Sequence, residues 1–80
     1  MDNEMNTIRQ KVKRELSDFL GIGTEDIEDE SDFSVDFHMS PTDMTDFMDI
    51  LEKSGLEIDS VDLEEIECFS DLIDALTAHV

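Results

Sequence analysis

Apolar residues recur at helical spacing in three stretches of this chain, and acidic, irregular segments separate them. From about Thr7 to Leu20, the residues Ile8, Val12, Leu16, Phe19 and Leu20 fall on one side of a helix, and Gly21 supplies a C-terminal stop. The second stretch is the most sharply delimited. Ser40 is a good N-cap, Pro41 suits the first helical position, and Asp43 stands at N3 beside the positive end of the helix dipole. Met44, Phe47, Met48 and Leu51 follow at i, i+3, i+4 and i+7, and Gly55 ends the run. A last helix over about Phe69 to Ala78 places Phe69, Leu72, Ile73 and Leu76 on one face, with Ser70 and Asp71 near its start.

The segment GIGTEDIEDESDFSVDF between the first two helices is too acidic and irregular to read as a helix. Its apolar residues Ile22, Ile27, Phe33, Val35 and Phe37 are expected to pin a long ordered loop to the core. DSVDLEEI, residues 59–66, opens on cap-type residues and offers Val61, Leu63 and Ile66 for burial, which predicts one or two helical turns. No strand and no internal repeat is expected, so the fold class is all-α.

Composition sets the scale. With 80 residues, 39% of them hydrophobic and no tryptophan or tyrosine, residues 1–80 are expected to form one domain around one small core, without a deep enclosed active site. Charge narrows the partners. The 23 acids against 5 bases give a net charge of −18, which repels nucleic acid and anionic membrane and favours basic protein surfaces, approached in a steered and salt-dependent way. The bases Arg9, Lys11, Lys13 and Arg14 cluster near the start, and Lys53 is the fifth. The lone Cys68 cannot form an internal disulfide, and no signal peptide or bilayer-length apolar run is evident, so a cytoplasmic protein is expected; a monomer is expected as well.

Few residues carry the pattern of a reaction centre. The cluster Glu25, Asp26, Glu28, Asp29, Glu30 and Asp32 lacks the alternating acids and central glycine of a calcium loop. His38 and His79, with Cys68, match neither a metal spacing nor a catalytic triad, and Gly21-Ile22-Gly23 is too short for a phosphate loop and follows a helix. No dedicated metal site is expected, and a serine at a helix cap with His38 nearby is weak evidence for hydrolysis. Ser40 reads in two ways, as the cap that starts a helix and as an exposed hydroxyl offered to a modifying enzyme. The N–H groups and positive dipole end beside it would tolerate a phosphodiester.

The order of a long helix, a pinned loop, a capped acidic helix, a short helix and a final helix resembles the acyl carrier protein family over roughly residues 6–79. The echoes are Leu20-Gly21-Ile22 closing the first helix, Ile27 and Phe33 in the loop, Asp36-Phe37 before the serine, and Glu57-Ile58 leading to Ile66, Phe69 and Ile73. The resemblance implies a small right-handed four-helix bundle with a long loop between its first two helices and a short third helix. It also implies a 4′-phosphopantetheine arm on the serine that opens the second helix, at the place of Ser40. Such a protein is not an enzyme. It holds acyl or related groups as thioesters, in fatty acid or polyketide biosynthesis for example, and presents them to partner enzymes.

Expected partners are a phosphopantetheinyl transferase and acyl-handling enzymes with basic patches. Asp36, Asp43, Asp46, Asp49 and Glu52 form an acidic strip that resembles the family's recognition face, and the same strip also reads as a solvated helix face. Met44, Phe47 and Met48 could line an acyl-chain cavity or serve as ordinary core. The usual motif is Gly-x-Asp-Ser-Leu, whereas this chain reads His38-Met39-Ser40-Pro41. An ungapped comparison from the first helix puts Pro41 under the serine, and a one-residue deletion before Ser40 restores the match. Two other readings therefore stand beside the carrier: an acidic interaction module of the same fold without a prosthetic group, and, more distantly, a calcium-binding helical protein.

Overall fold

The computed structural model describes residues 4–59 and 61–77, with the side chains of residues 4 and 5 left aside. Among the described residues there are three α-helices, two short 3-10 turns and no strand, an all-α architecture. The first helix, α1, spans Glu4–Leu20, beginning a turn earlier than its apolar periodicity suggests. Val12 and Leu16 on its inner face are fully buried, and Ile8, Phe19 and Leu20 pack at the margin. It stops at Gly21, whose φ of 72° places it in the left-handed region that glycine adopts without a steric penalty. There the N–H groups of Gly21 and Ile22 both donate to the Ser17 carbonyl, at 2.8 and 3.1 Å, which closes the last turn of the helix.

The second helix, α2, spans Pro41–Lys53 and the third, α3, spans Phe69–Thr77. The expected end of α3 at Ala78 and the histidine at 79 lie outside the described residues. Both helices pack on α1. α2 contributes Met44, Phe47, Met48 and Leu51 to the core and α3 contributes Phe69, Leu72, Ile73 and Leu76, the two sets of positions that periodicity selects. Phe47 stacks at a tilt on Phe19 of α1, with ring centroids 5.6 Å apart, and Ser54 at the end of α2 donates to the Glu15 carboxylate at 3.0 Å. Where one or two helical turns are expected over 59–66, the described residues make one 3-10 turn, Leu63–Glu65, capped by Asp62, whose carboxylate accepts the Glu64 N–H at 3.0 Å.

The chain between α1 and α2 holds one 3-10 turn, Thr24–Asp26, and is otherwise ordered by tertiary contacts. Ile27 and Phe33 are buried, and Ile22 and Phe37 pack against the core. Val35 corrects the expectation for this segment: it is 70% exposed. The reason is a tight turn in which the Asp32 carboxylate accepts the N–H groups of Ser34 and Val35, both at 2.8 Å, leaving the Val35 side chain on the outer bend. Asp32 also forms an antiparallel bridge with Cys68, supported by Phe33 N–H to the Glu67 carbonyl at 3.0 Å and Phe69 N–H to the Ser31 carbonyl at 2.9 Å. Arg9 pairs with Asp29, and the Lys13 ammonium stands 6.0 Å from the Phe69 ring centroid, so part of the basic cluster ties α1 to its neighbours.

Candidate functional site

The start of α2 is built from the residues upward by its own cap. The Ser40 Oγ accepts the Asp43 N–H at 3.2 Å, and the Asp43 carboxylate accepts the Ser40 N–H at 3.0 Å, a reciprocal capping box. Pro41 occupies N1, where it gives up no hydrogen bond. Ser40 is exposed, and its Oγ accepts one hydrogen bond from the cap. The Thr42 N–H finds no acceptor among the described residues, which leaves a donor free at the positive end of the dipole.

The approach to Ser40 is equally fixed. Met39 points into the core at 5% exposure, and its N–H donates to the Phe33 carbonyl at 2.9 Å. His38, just before it, is exposed and has a φ of 56°, the one positive φ outside glycine among the described residues. The backbone reversal at His38 is what lets Met39 turn inward and Ser40 emerge outward. Sequence reasoning singled out Ser40 but passed over Met39, because a methionine between a histidine and a cap carries no periodic signal.

Beside this hydroxyl lies a cleft of about 590 Å³. Its lining includes Met39, Pro41, Met44 and Thr45 from the start of α2 and the residue before it, and Leu63, Glu64, Ile66 and Glu67 from the segment ahead of α3. Phe33 and Val35 of the loop also line it. Of the three side chains read either as cavity lining or as ordinary core, Met44 lines this cleft, whereas Phe47 and Met48 are buried in the core and are not part of its lining. Leu63 and Ile66 replace them in the wall, from a segment whose position against α2 no local pattern reveals.

The acids separate into groups. Asp46, Asp49 and Glu52 are exposed at successive three-residue steps along α2, and Asp49 pairs with Lys53 at 3.2 Å. Asp43 is half-buried in the capping box. Asp36 belongs to the loop, where its carboxylate accepts the Asp32 N–H at 2.7 Å, and it borders a hollow of about 310 Å³ with Asp26, Glu28 and Glu30. Among the described residues, no group of three His, Cys, Asp or Glu side chains is placed to hold a metal ion. At the start of α3 the Asp71 carboxylate accepts the N–H groups of Glu67 and Cys68, at 3.1 and 3.3 Å. These two backbone bonds hold its pKa below the ordinary value of 3.8. No helix is long and apolar enough to cross a membrane among the described residues.

Residues 10–76 match the family model for a phosphopantetheine attachment site. Two curated relatives, each named acyl carrier protein and each from Nitratidesulfovibrio vulgaris (strains DP4 and Hildenborough), are 32% identical to this chain over 69 residues. The aligned segment covers 85% of this chain and 91% of each relative.

Proposed function

Since this chain belongs to the acyl carrier protein family, whose members are carriers rather than enzymes and bear a covalent 4′-phosphopantetheine, we propose that Ser40 is the residue to which the arm is joined. The observation that supports this most is an exposed hydroxyl held by a capping box at the start of α2, inside the matched segment. The residues present fit a phosphodiester. The Ser40 Oγ keeps an acceptor lone pair for the Asp43 N–H after its proton is replaced, so the cap survives esterification, and the Thr42 N–H is available to the phosphate.

Attachment is a displacement at phosphorus. The Ser40 oxygen bonds to the phosphorus that carries the pantetheine in coenzyme A, the pyrophosphate P–O bond breaks, adenosine bisphosphate departs, and the hydroxyl proton passes to a base of the transferase. Activation of the hydroxyl is thus left to the transferase, and this chain contributes a positioned, solvent-facing oxygen. When bound, the arm supplies a terminal thiol on which acyl groups are held as thioesters.

The cleft between Met44 and Leu63/Ile66 is proposed to shelter the apolar part of such a cargo, since it opens beside Pro41, next to the attachment point. Asp46, Asp49 and Glu52, with Asp43 and Asp36, are proposed to meet basic patches of the transferase and of acyl-handling enzymes, steered by the net charge of −18. Residues 1–80 are proposed to act as one monomeric carrier domain in the cytoplasm. In this reading the fold is the family's four-helix bundle with its third helix reduced to the Leu63–Glu65 turn and a long loop joining α1 to α2.

The test is incubation with coenzyme A and the phosphopantetheinyl transferase of the protein's own host, followed by intact-mass measurement. A gain of one phosphopantetheine, absent in Ser40→Ala, is expected. A gain that persists in Ser40→Ala would move the attachment point elsewhere.

A further inference from the structure

The start of α2 allows the helix to be set against the motif Gly-x-Asp-Ser-Leu by geometry rather than by letters. Three positions of that motif have a backbone preference: glycine suits a positive φ, aspartate is a preferred N-cap, and the residue after the cap falls at N1. In this chain the positive φ, 56°, is at His38, the N-cap is Ser40, and N1 is Pro41. The three features fall on His38-Met39-Ser40-Pro41 in the motif's own spacing, with no gap.

The alternative register, with a one-residue deletion, fails at two positions. It would put the glycine at Phe37, which has no positive φ, since His38 is the one non-glycine residue with that conformation among the described residues. It would also put the cap carboxylate at Met39, which is 5% exposed and packed in the core.

We infer that Ser40 stands in the structural place of the motif's aspartate and Pro41 in that of its serine, so that the hydroxyl this chain offers lies one residue early, on the cap itself. The register follows from His38, Met39 and the cap alone. Its consequence rests on the carrier reading: an enzyme that loads this chain must accept a hydroxyl at the N-cap, preceded directly by a buried methionine and without the N1 N–H that Pro41 lacks. A transferase selected for the common motif is therefore the wrong enzyme for the natural sequence and the right one for a variant that restores the motif in the ungapped register.

That variant is Ser40→Asp with Pro41→Ser, which keeps a capping side chain and leaves Met39 in the core. It and Met39→Asp with Pro41→Leu, the restoration demanded by the gapped register, are incubated with coenzyme A and a broad-specificity transferase. Circular dichroism reports folding, and tandem mass spectrometry locates any arm. One arm at position 41 of the first variant is expected, with no faster loading of the second than of the natural protein. Faster loading of the second variant at Ser40, or no arm on a folded first variant under conditions that load a control carrier protein, overturns the register. If the first variant does not fold, Pro41→Ser alone decides, an arm at position 41 supporting the inference, and an arm at position 40 or none overturning it. Loading of the natural chain by its own host's transferase is a separate measurement, so Ser40 can fail as an attachment point while the register stands, and the reverse.

Discussion

Ser40 carries two duties, and substituting it separates them. Ser40→Ala removes the acceptor of the Asp43 N–H, and a lost N-cap costs about 1 kcal/mol, a modest fall in denaturant midpoint that a urea titration will read while the protein stays folded. Loss of the arm in that variant is then a statement about chemistry, not about unfolding. Met39 behaves differently. Met39→Asp places a carboxylate among Phe33, Met44 and the rest of the core, and a loss of about 3 kcal/mol or more is expected from the same titration, against a near-neutral Met39→Leu. If Met39→Asp is as stable as the natural chain, the side chain is not where the structure puts it. The cap was legible in the sequence because Ser, Pro and Asp each have a positional preference. The inward turn of Met39 was not, because it depends on a left-handed histidine, a conformation that residue type does not announce.

The helices follow their apolar periodicity because the pattern and the burial are the same fact seen twice: α2 and α3 bury the residues at i, i+3, i+4 and i+7. The segments between them escape such reading, since Val35 is turned outward by the Asp32 carboxylate and the cleft wall at Leu63 and Ile66 is set by long-range placement. The start of α3 yields a pH signature. Asp71 has its pKa lowered by the N–H groups of Glu67 and Cys68, so its ionised form favours the folded state. Its stabilisation is fully present above the unfolded value of 3.8 and is lost as pH falls through the lower folded value. The stability gap between the natural protein and Asp71→Asn is expected to be constant near neutrality and to shrink as pH falls below 3.8. A gap that is the same at neutral and strongly acidic pH would show that the carboxylate charge plays no part in the cap.

At the scale of the whole molecule, the net charge of −18 is set against two ion pairs among the described residues, Arg9–Asp29 and Lys53–Asp49. These two pairs offset little of the repulsion among the acids, and screening should relieve it, since the Debye length is about 10 Å at 0.1 M salt and the molecule is 22 Å across its shortest axis. The melting temperature is expected to rise as ionic strength goes from about 0.01 M to about 1 M. A flat response would mean that the acids are too far apart to matter to folding and matter only to partners. The central claim is the arm on Ser40, and the most direct measurement of it is tandem mass spectrometry of this protein isolated from the cells that make it. The account predicts a phosphopantetheine on the peptide that contains Ser40, carried by that residue. A population in which Ser40 is wholly unmodified, in cells whose other carrier proteins are loaded, would contradict it.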